Sequence, residues 1–192
     1  MKKRLALILP AALLLSAFVI AGSGRNTDND IPAPPAIGAT IEDFTLPDLD
    51  GTNRTLASIK GKNGSVILFI AVQCPVSNAY NERMEQLAQD FKAKGINVIG
   101  INSNSTEDAA AVKDHAAQHK FTFVILKDAG NKIADRLGAT KTPEAYFIDG
   151  NNKLLYHGRI DNSRNAAQID SNDLRNALDA ALAGKSIEKT EA

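Results

Sequence analysis

The chain holds a single cysteine, Cys74, no tryptophan and only three histidines, and its 22 basic residues are matched by 22 acidic ones. Each scarcity removes a class of protein. One cysteine cannot form an internal disulfide framework, so the fold must be held by core burial, for which a hydrophobic content of 44% is ample. Three histidines and one cysteine offer little to a transition metal, and no metal or other cofactor is expected. Without residues 1–21 the basic count falls to 19 against 22 acidic, a formal net of −3 with no basic stripe, so nucleic acid is excluded as a partner.

Long apolar runs are also rare. One stands at the start, where Lys2, Lys3 and Arg4 precede an apolar stretch from Leu5 to Ala21, and Gly22, Ser23 and Gly24 follow. A basic head, an apolar middle and a small-residue exit make a secretory signal, and the same run can serve as an uncleaved membrane anchor. An exported protein of the periplasm or cell envelope is therefore expected. Residues 22–39, rich in glycine and proline and without periodicity, read as a disordered tether. A single domain is expected over 40–187, with 188–192 as a tail.

Within that domain, two short extended pieces between Ile41 and Leu56 flank Asp48-Leu49-Asp50-Gly51, which predicts a hairpin. Ser65–Val72 is nearly continuous apolar sequence, as in a central strand covered on both faces. Apolar positions at helical spacing predict one long helix over Pro75–Lys94, stopped by Gly95. The remainder alternates: strands over 96–101, 121–126, 145–148 and 153–160, and helices over 105–119, 130–137 and 171–183. Glu107 and Asp108 read as acidic first-turn residues of the second long helix. This order predicts an α/β fold, a central mixed sheet flanked by helices.

Cys74 lies just past the central strand and just before Pro75, a residue suited to the first position of a helix. Ligands gather beyond the carboxyl ends of parallel strands, and a sulfur at a helix N-terminus meets free N–H groups that favour thiolate. The competing reading is a buried, inert cysteine. Thr142-Pro143, at the entry to a later strand, is either a cis-proline element or an ordinary turn.

The combination of Cys74-Pro75-Val76-Ser77, Thr142-Pro143 and the alternation between them resembles the thioredoxin-like superfamily. The stretches QCPVSNAYNERM, GATKTPEAYFID, YHGRIDN and LRNALDAALAGK are similar to exported redoxin-domain proteins of the AhpC/TSA-like and ResA-like group. The resemblance implies a thioredoxin-like fold in which Cys74 is the attacking cysteine and Pro143 the cis-proline facing it. It further implies that Thr142 presents an edge to an extended substrate, with Gln73, Pro75 and Ser77 beside the sulfur.

Two departures bear on the chemistry. Ser77 stands where a second cysteine would complete CxxC, so release of a mixed disulfide requires an outside thiol. Ala71 stands where peroxiredoxins place a hydroxyl three residues before the peroxidatic cysteine. A monothiol disulfide exchanger is therefore expected, with a disulfide-bearing protein or small thiol as substrate and an external thiol reductant. The alternatives are a one-cysteine peroxidase and a redox-inactive binding domain. Glu144 is read either as steering substrate or as a solvated strand start, Arg83 and Arg159 as salt-bridge anchors, and His115 and His119 as a solvated helical face. His157 is assigned no role.

Overall fold

A computed structural model describes residues 32–192. The expected export signal and residues 22–31 of the tether lie outside the described residues. The elements run β1 Thr45–Pro47, β2 Asn53–Thr55, α1 Leu56–Ile59, β3 Gly64–Phe69, α2 Pro75–Asn78, α3 Asn81–Lys92 and β4 Ile96–Asn102. They continue as α4 Ala109–Gln118, β5 Val124–Lys127, α5 Lys132–Leu137, β6 Glu144–Asp149, β7 Leu154–Gly158 and α6 Asp173–Leu182.

Five strands form one mixed sheet in the order β5-β4-β3-β6-β7. β3 lies beside β4, with the Asn63 N–H donating to Gly95 at one end and the Ile70 N–H to Ile101 at the other, so the two run parallel. β6 and β7 are antiparallel additions. This is the thioredoxin-like architecture, with β3 at the centre and a separate two-stranded β1–β2 hairpin. Asp48 makes the hairpin turn by accepting from the N–H groups of Asp50 and Thr52 and from Arg54 Nε, while Gly51 takes the positive φ the turn needs.

Alternation along β3 divides the core. Val66, Leu68 and Ile70 face Met84, Leu87 and Phe91 of α3 and Leu174, Ala177 and Leu178 of α6. Ile67 and Phe69 face the other layer, built from Phe44, Leu46, Leu56 and α5. All six residues of β3 are buried, as expected of a strand covered on both sides. Among the described residues no helix is long and apolar enough to cross a membrane.

Three features go beyond or differ from the sequence pattern. The tether reaches further into the domain than its composition suggests: the Gly38 N–H donates to Leu154, the Leu154 N–H donates to Ala39, and a side-chain carbon at Gly138 would collide with the Pro32 carbonyl. Proline-rich sequence has no period to read, yet its backbone docks. The tail is likewise fastened, since the His157 N–H donates to Thr190 and the Ala192 N–H to His157, extending the sheet past β7. Finally, the long helix is two. Arg83 Nη2 takes the Ala79 carbonyl at 3.0 Å and its guanidinium lies over the Tyr80 ring, which frees that carbonyl from the helical ladder and separates α2 from α3.

Candidate active site

β3 ends at Phe69, and the loop Ile70–Gln73 delivers Cys74 to the N-cap of α2 in an extended conformation. The sulfur accepts the Ser77 N–H at 3.5 Å, and the thiol donates to the Thr142 carbonyl at 3.7 Å. The Thr142-Pro143 peptide bond is cis. Thus Cys74, Pro75, Ser77, Thr142 and Pro143 are brought together from positions about seventy residues apart in sequence. Cys74 is half-buried and lines a cavity of about 340 Å³ with Ser103, Asn104, Asn131, Lys141 and Thr142. Val76, one residue past Pro75, is the one exposed large apolar side chain among the described residues.

Because α2 is a single turn, the sulfur sees local N–H groups rather than a long macrodipole. Burial pushes the Cys74 thiol up, while the Thr142 side chain and the N–H groups of Ser77 and Val76 pull it down and the Glu107 charge opposes them; the balance lies below the ordinary 9.0. Ser77 is buried, and its hydroxyl accepts the Ala71 N–H at 3.2 Å. The hydroxyl three positions after Cys74 therefore shapes the loop at the very residue where peroxiredoxins carry theirs. Gln73 is exposed and is fastened through its backbone N–H.

That N–H leads to a residue with a role sequence reading missed. Glu107, 1% exposed, turns back from the segment before α4 and accepts the Val72 and Gln73 N–H groups at 2.9 and 2.8 Å. α4 begins two residues later, at Ala109, and its cap is Asp108. Glu107 is thus no exposed first-turn acid. Burial pushes its carboxyl up, but the hydrogen bonds from Val72, Gln73, Asn102 and Asn104 hold it below the ordinary 4.5.

Glu144 is also relocated. It is 2% exposed rather than solvated, and it accepts the Thr140 and Lys141 N–H groups at 2.8 and 3.2 Å, just before Thr142. Its other oxygen meets His157 Nε2 at 2.7 Å, and the His157 ring stacks on Tyr146. Burial pushes the Glu144 carboxyl up, while His157 and the two N–H groups pull it below 4.5. Tyr146 and His157 are register partners across β6 and β7, and Glu144, two residues before Tyr146, shares their face.

Other candidates take structural places. Arg83 bonds Asp161 at 2.6 Å and Arg159 bonds Asp173 at 2.5 Å, as expected of anchors. His119 is exposed, but His115 is half-buried against Phe121 and pairs with Asn81 at 3.1 Å, so the two do not form one solvated face.

These two carboxyls, with the lowered carboxyls of Asp48, Asp90 and Asp173, contribute to an acid limit. A depressed folded pKa contributes stability that is complete above the ordinary glutamate value of 4.5 and is lost as pH falls through the folded values. Thermal unfolding followed from pH 6 to pH 3 is expected to show a flat Tm above about pH 5 and a fall below it. A Glu107→Gln, Glu144→Gln double variant is expected to have a shallower fall; an equally steep one would assign the acid limit to other groups.

Comparison with known proteins agrees with this geometry. Residues 37–157 match the AhpC/TSA family, and the chain belongs to that family. It is 28% identical over 156 residues to a chloroplastic peroxiredoxin Q of Gentiana triflora, covering 70% of each chain. It is 29% identical over 119 residues to the thiol-disulfide oxidoreductase ResA of Bacillus thuringiensis, covering 62% of this chain and 67% of that one. For two rice relatives of peroxiredoxin Q type the match spans only 57% of their length. Among solved structures, a hypothetical protein of Sinorhizobium meliloti superposes with a TM-score of 0.76 at 33% identity, covering 82% of this chain and 90% of that one. Such relatives make this a redoxin-family chain of thiol-oxidoreductase or peroxiredoxin-like type with one cysteine.

Proposed function

We propose that this chain is a monothiol disulfide exchanger of the cell envelope, with Cys74 as nucleophile. The Cys74 thiolate attacks one sulfur of a substrate disulfide, forming a mixed disulfide and expelling the other sulfur as thiolate. An external thiolate then attacks the mixed disulfide, forms a new disulfide with the substrate sulfur and returns Cys74 as thiolate. Substrate disulfide is exchanged for another disulfide, with no net oxidation of the protein. The observation that carries the reading is a sulfur on the Ser77 N–H and against the Thr142 carbonyl, in a chain with one cysteine. Thr142 and Pro143 offer the substrate an edge, and Gln73, Pro75 and Ser77 shape the approach. The basic head and apolar run of residues 2–21 support export, as a cleaved signal or as an anchor.

Similarity to peroxiredoxin Q supports a second substrate, peroxide, which would oxidise Cys74 to sulfenic acid. Ala71 argues against it, because its side chain offers no hydroxyl to a peroxide, and its backbone N–H is taken by Ser77. Mixing the protein with oxidised glutathione and reading intact mass is the test. A glutathione adduct that forms within minutes at pH 7, disappears on adding a thiol and is absent in Cys74→Ala is expected. No adduct, together with rapid sulfenic acid at micromolar peroxide, would replace disulfide by peroxide as the substrate.

A further inference from the structure

Cys74 is aimed by two short backbone stretches, and one of them hangs on a single carboxylate. Val72 and Gln73, the residues immediately before Cys74, give both N–H groups to Glu107, one to each oxygen. Asn102, at the end of β4 and fully buried, donates to the same carboxylate at 2.6 Å and to the Ile70 carbonyl at 3.3 Å; Asn104 adds a bond at 3.0 Å. Behind them Lys127 of β5 puts its ammonium 2.6 Å from Asn102 Oδ1 and 2.6 Å from the Asn104 carbonyl. The line Lys127–Asn102–Glu107–Val72/Gln73 thus crosses from the outermost strand to the reactive loop at the centre of the sheet.

We propose that Glu107 is a positioning residue for Cys74, holding the loop that presents the sulfur and, with Lys127 behind it, setting the charge the sulfur faces. A carboxylate is the side chain that can accept from two adjacent N–H groups and two amides at once; an amide in its place brings a donor against a donor. The buried anion is tolerable because it accepts four hydrogen bonds and is faced by Lys127. It also has a chemical consequence. Its charge opposes thiolate at Cys74 while the Ser77 and Val76 N–H groups favour it. A thiolate less stabilised than α2 alone would make it is the stronger nucleophile, since nucleophilicity falls as thiol pKa falls. Lys127 in turn faces Asp108 and Asp128 as well as Glu107, so its charge is shared among three carboxylates.

This inference rests on Cys74 being the reacting thiol, and its test is separable from the adduct experiment above. The pH profile of Cys74 alkylation by iodoacetamide is measured for the full chain, Glu107→Gln and Lys127→Gln, with exchange against oxidised glutathione measured above each midpoint. Removing the anion is expected to move the alkylation midpoint to lower pH, and removing the cation to move it higher. Exchange by Glu107→Gln above its midpoint is expected to fall about tenfold, because the loop is no longer held. Midpoints that stay put or move in the same direction in both variants would reduce the network to structural packing and overturn the proposal. Should Glu107→Gln fail to give a cooperative melt, the Lys127→Gln midpoint decides alone. An unmoved or lowered value overturns the proposal. Loss of adduct formation in the unmodified protein, by contrast, would remove the exchange function while leaving the midpoints readable.

Discussion

A Ser77→Cys variant is expected to close an internal disulfide with Cys74 and to discharge mixed disulfides about a thousandfold faster than the natural chain at micromolar external thiol. Ser77 is three residues past Cys74 in the same helical turn, and its N–H already contacts the sulfur at 3.5 Å. A thiol placed there acts at an effective concentration of at least about a millimolar, against micromolar thiol from solution. The cost is small, because the Ala71 N–H exchanges a hydroxyl acceptor for a weaker sulfur, worth about 1 kcal/mol. The check is the glutathione adduct followed by mass after dilution into micromolar thiol. In the natural chain the adduct should persist; in the variant it should be replaced, with release of glutathione, by a disulfide species two hydrogen atoms lighter than the reduced variant. A long-lived adduct in the variant would mean that the serine side does not face the sulfur, and that the one-thiol cycle is imposed by geometry rather than by the missing cysteine.

The parts of this site that were legible from sequence are those written in local pattern. β3 and β4 announced themselves as apolar runs, and Cys74-Pro75 after the first of them read as an N-cap, which is what the backbone shows. Thr142 and Pro143 came from resemblance, and their contact with Cys74 depends on the order β3-β6 in the sheet. What was not legible is set by partners distant in sequence. The break between α2 and α3 depends on Arg83 reaching the Ala79 carbonyl and Asp161, 78 residues away, whereas the apolar period across the break is continuous. Ser-Thr-Glu-Asp before an alanine-rich run is the pattern of a helical first turn, so by local pattern Glu107 is a first-turn acid. Only the burial of Asn102 beside it reveals that the carboxylate points inward. His157 and Glu144 are joined across a hairpin, and a lone histidine on a strand carries no mark of its partner.

That last pair carries the largest expected loss of stability. Glu144→Ala is expected to destabilise the chain by about 3–5 kcal/mol, since each buried donor left without an acceptor costs about 1–3 kcal/mol. Three groups lose their acceptor at once: the Thr140 and Lys141 N–H groups and His157 Nε2, all behind the loop that carries Thr142. For a chain of this length about 2–4 °C of Tm accompanies each kcal/mol, so a fall on the order of 10 °C is expected by calorimetry. Glu144→Gln keeps the size of the side chain and one oxygen, and should recover part of that. His157→Ala should cost less than Glu144→Ala, since the carboxylate keeps both backbone donors. The same ranking is expected in glutathione exchange, because the Thr140–Thr142 segment sets the carbonyl that touches Cys74. Equal exchange rates across the three variants, with the stability order intact, would confine Glu144 to holding the fold and leave the placing of Cys74 to Glu107 alone.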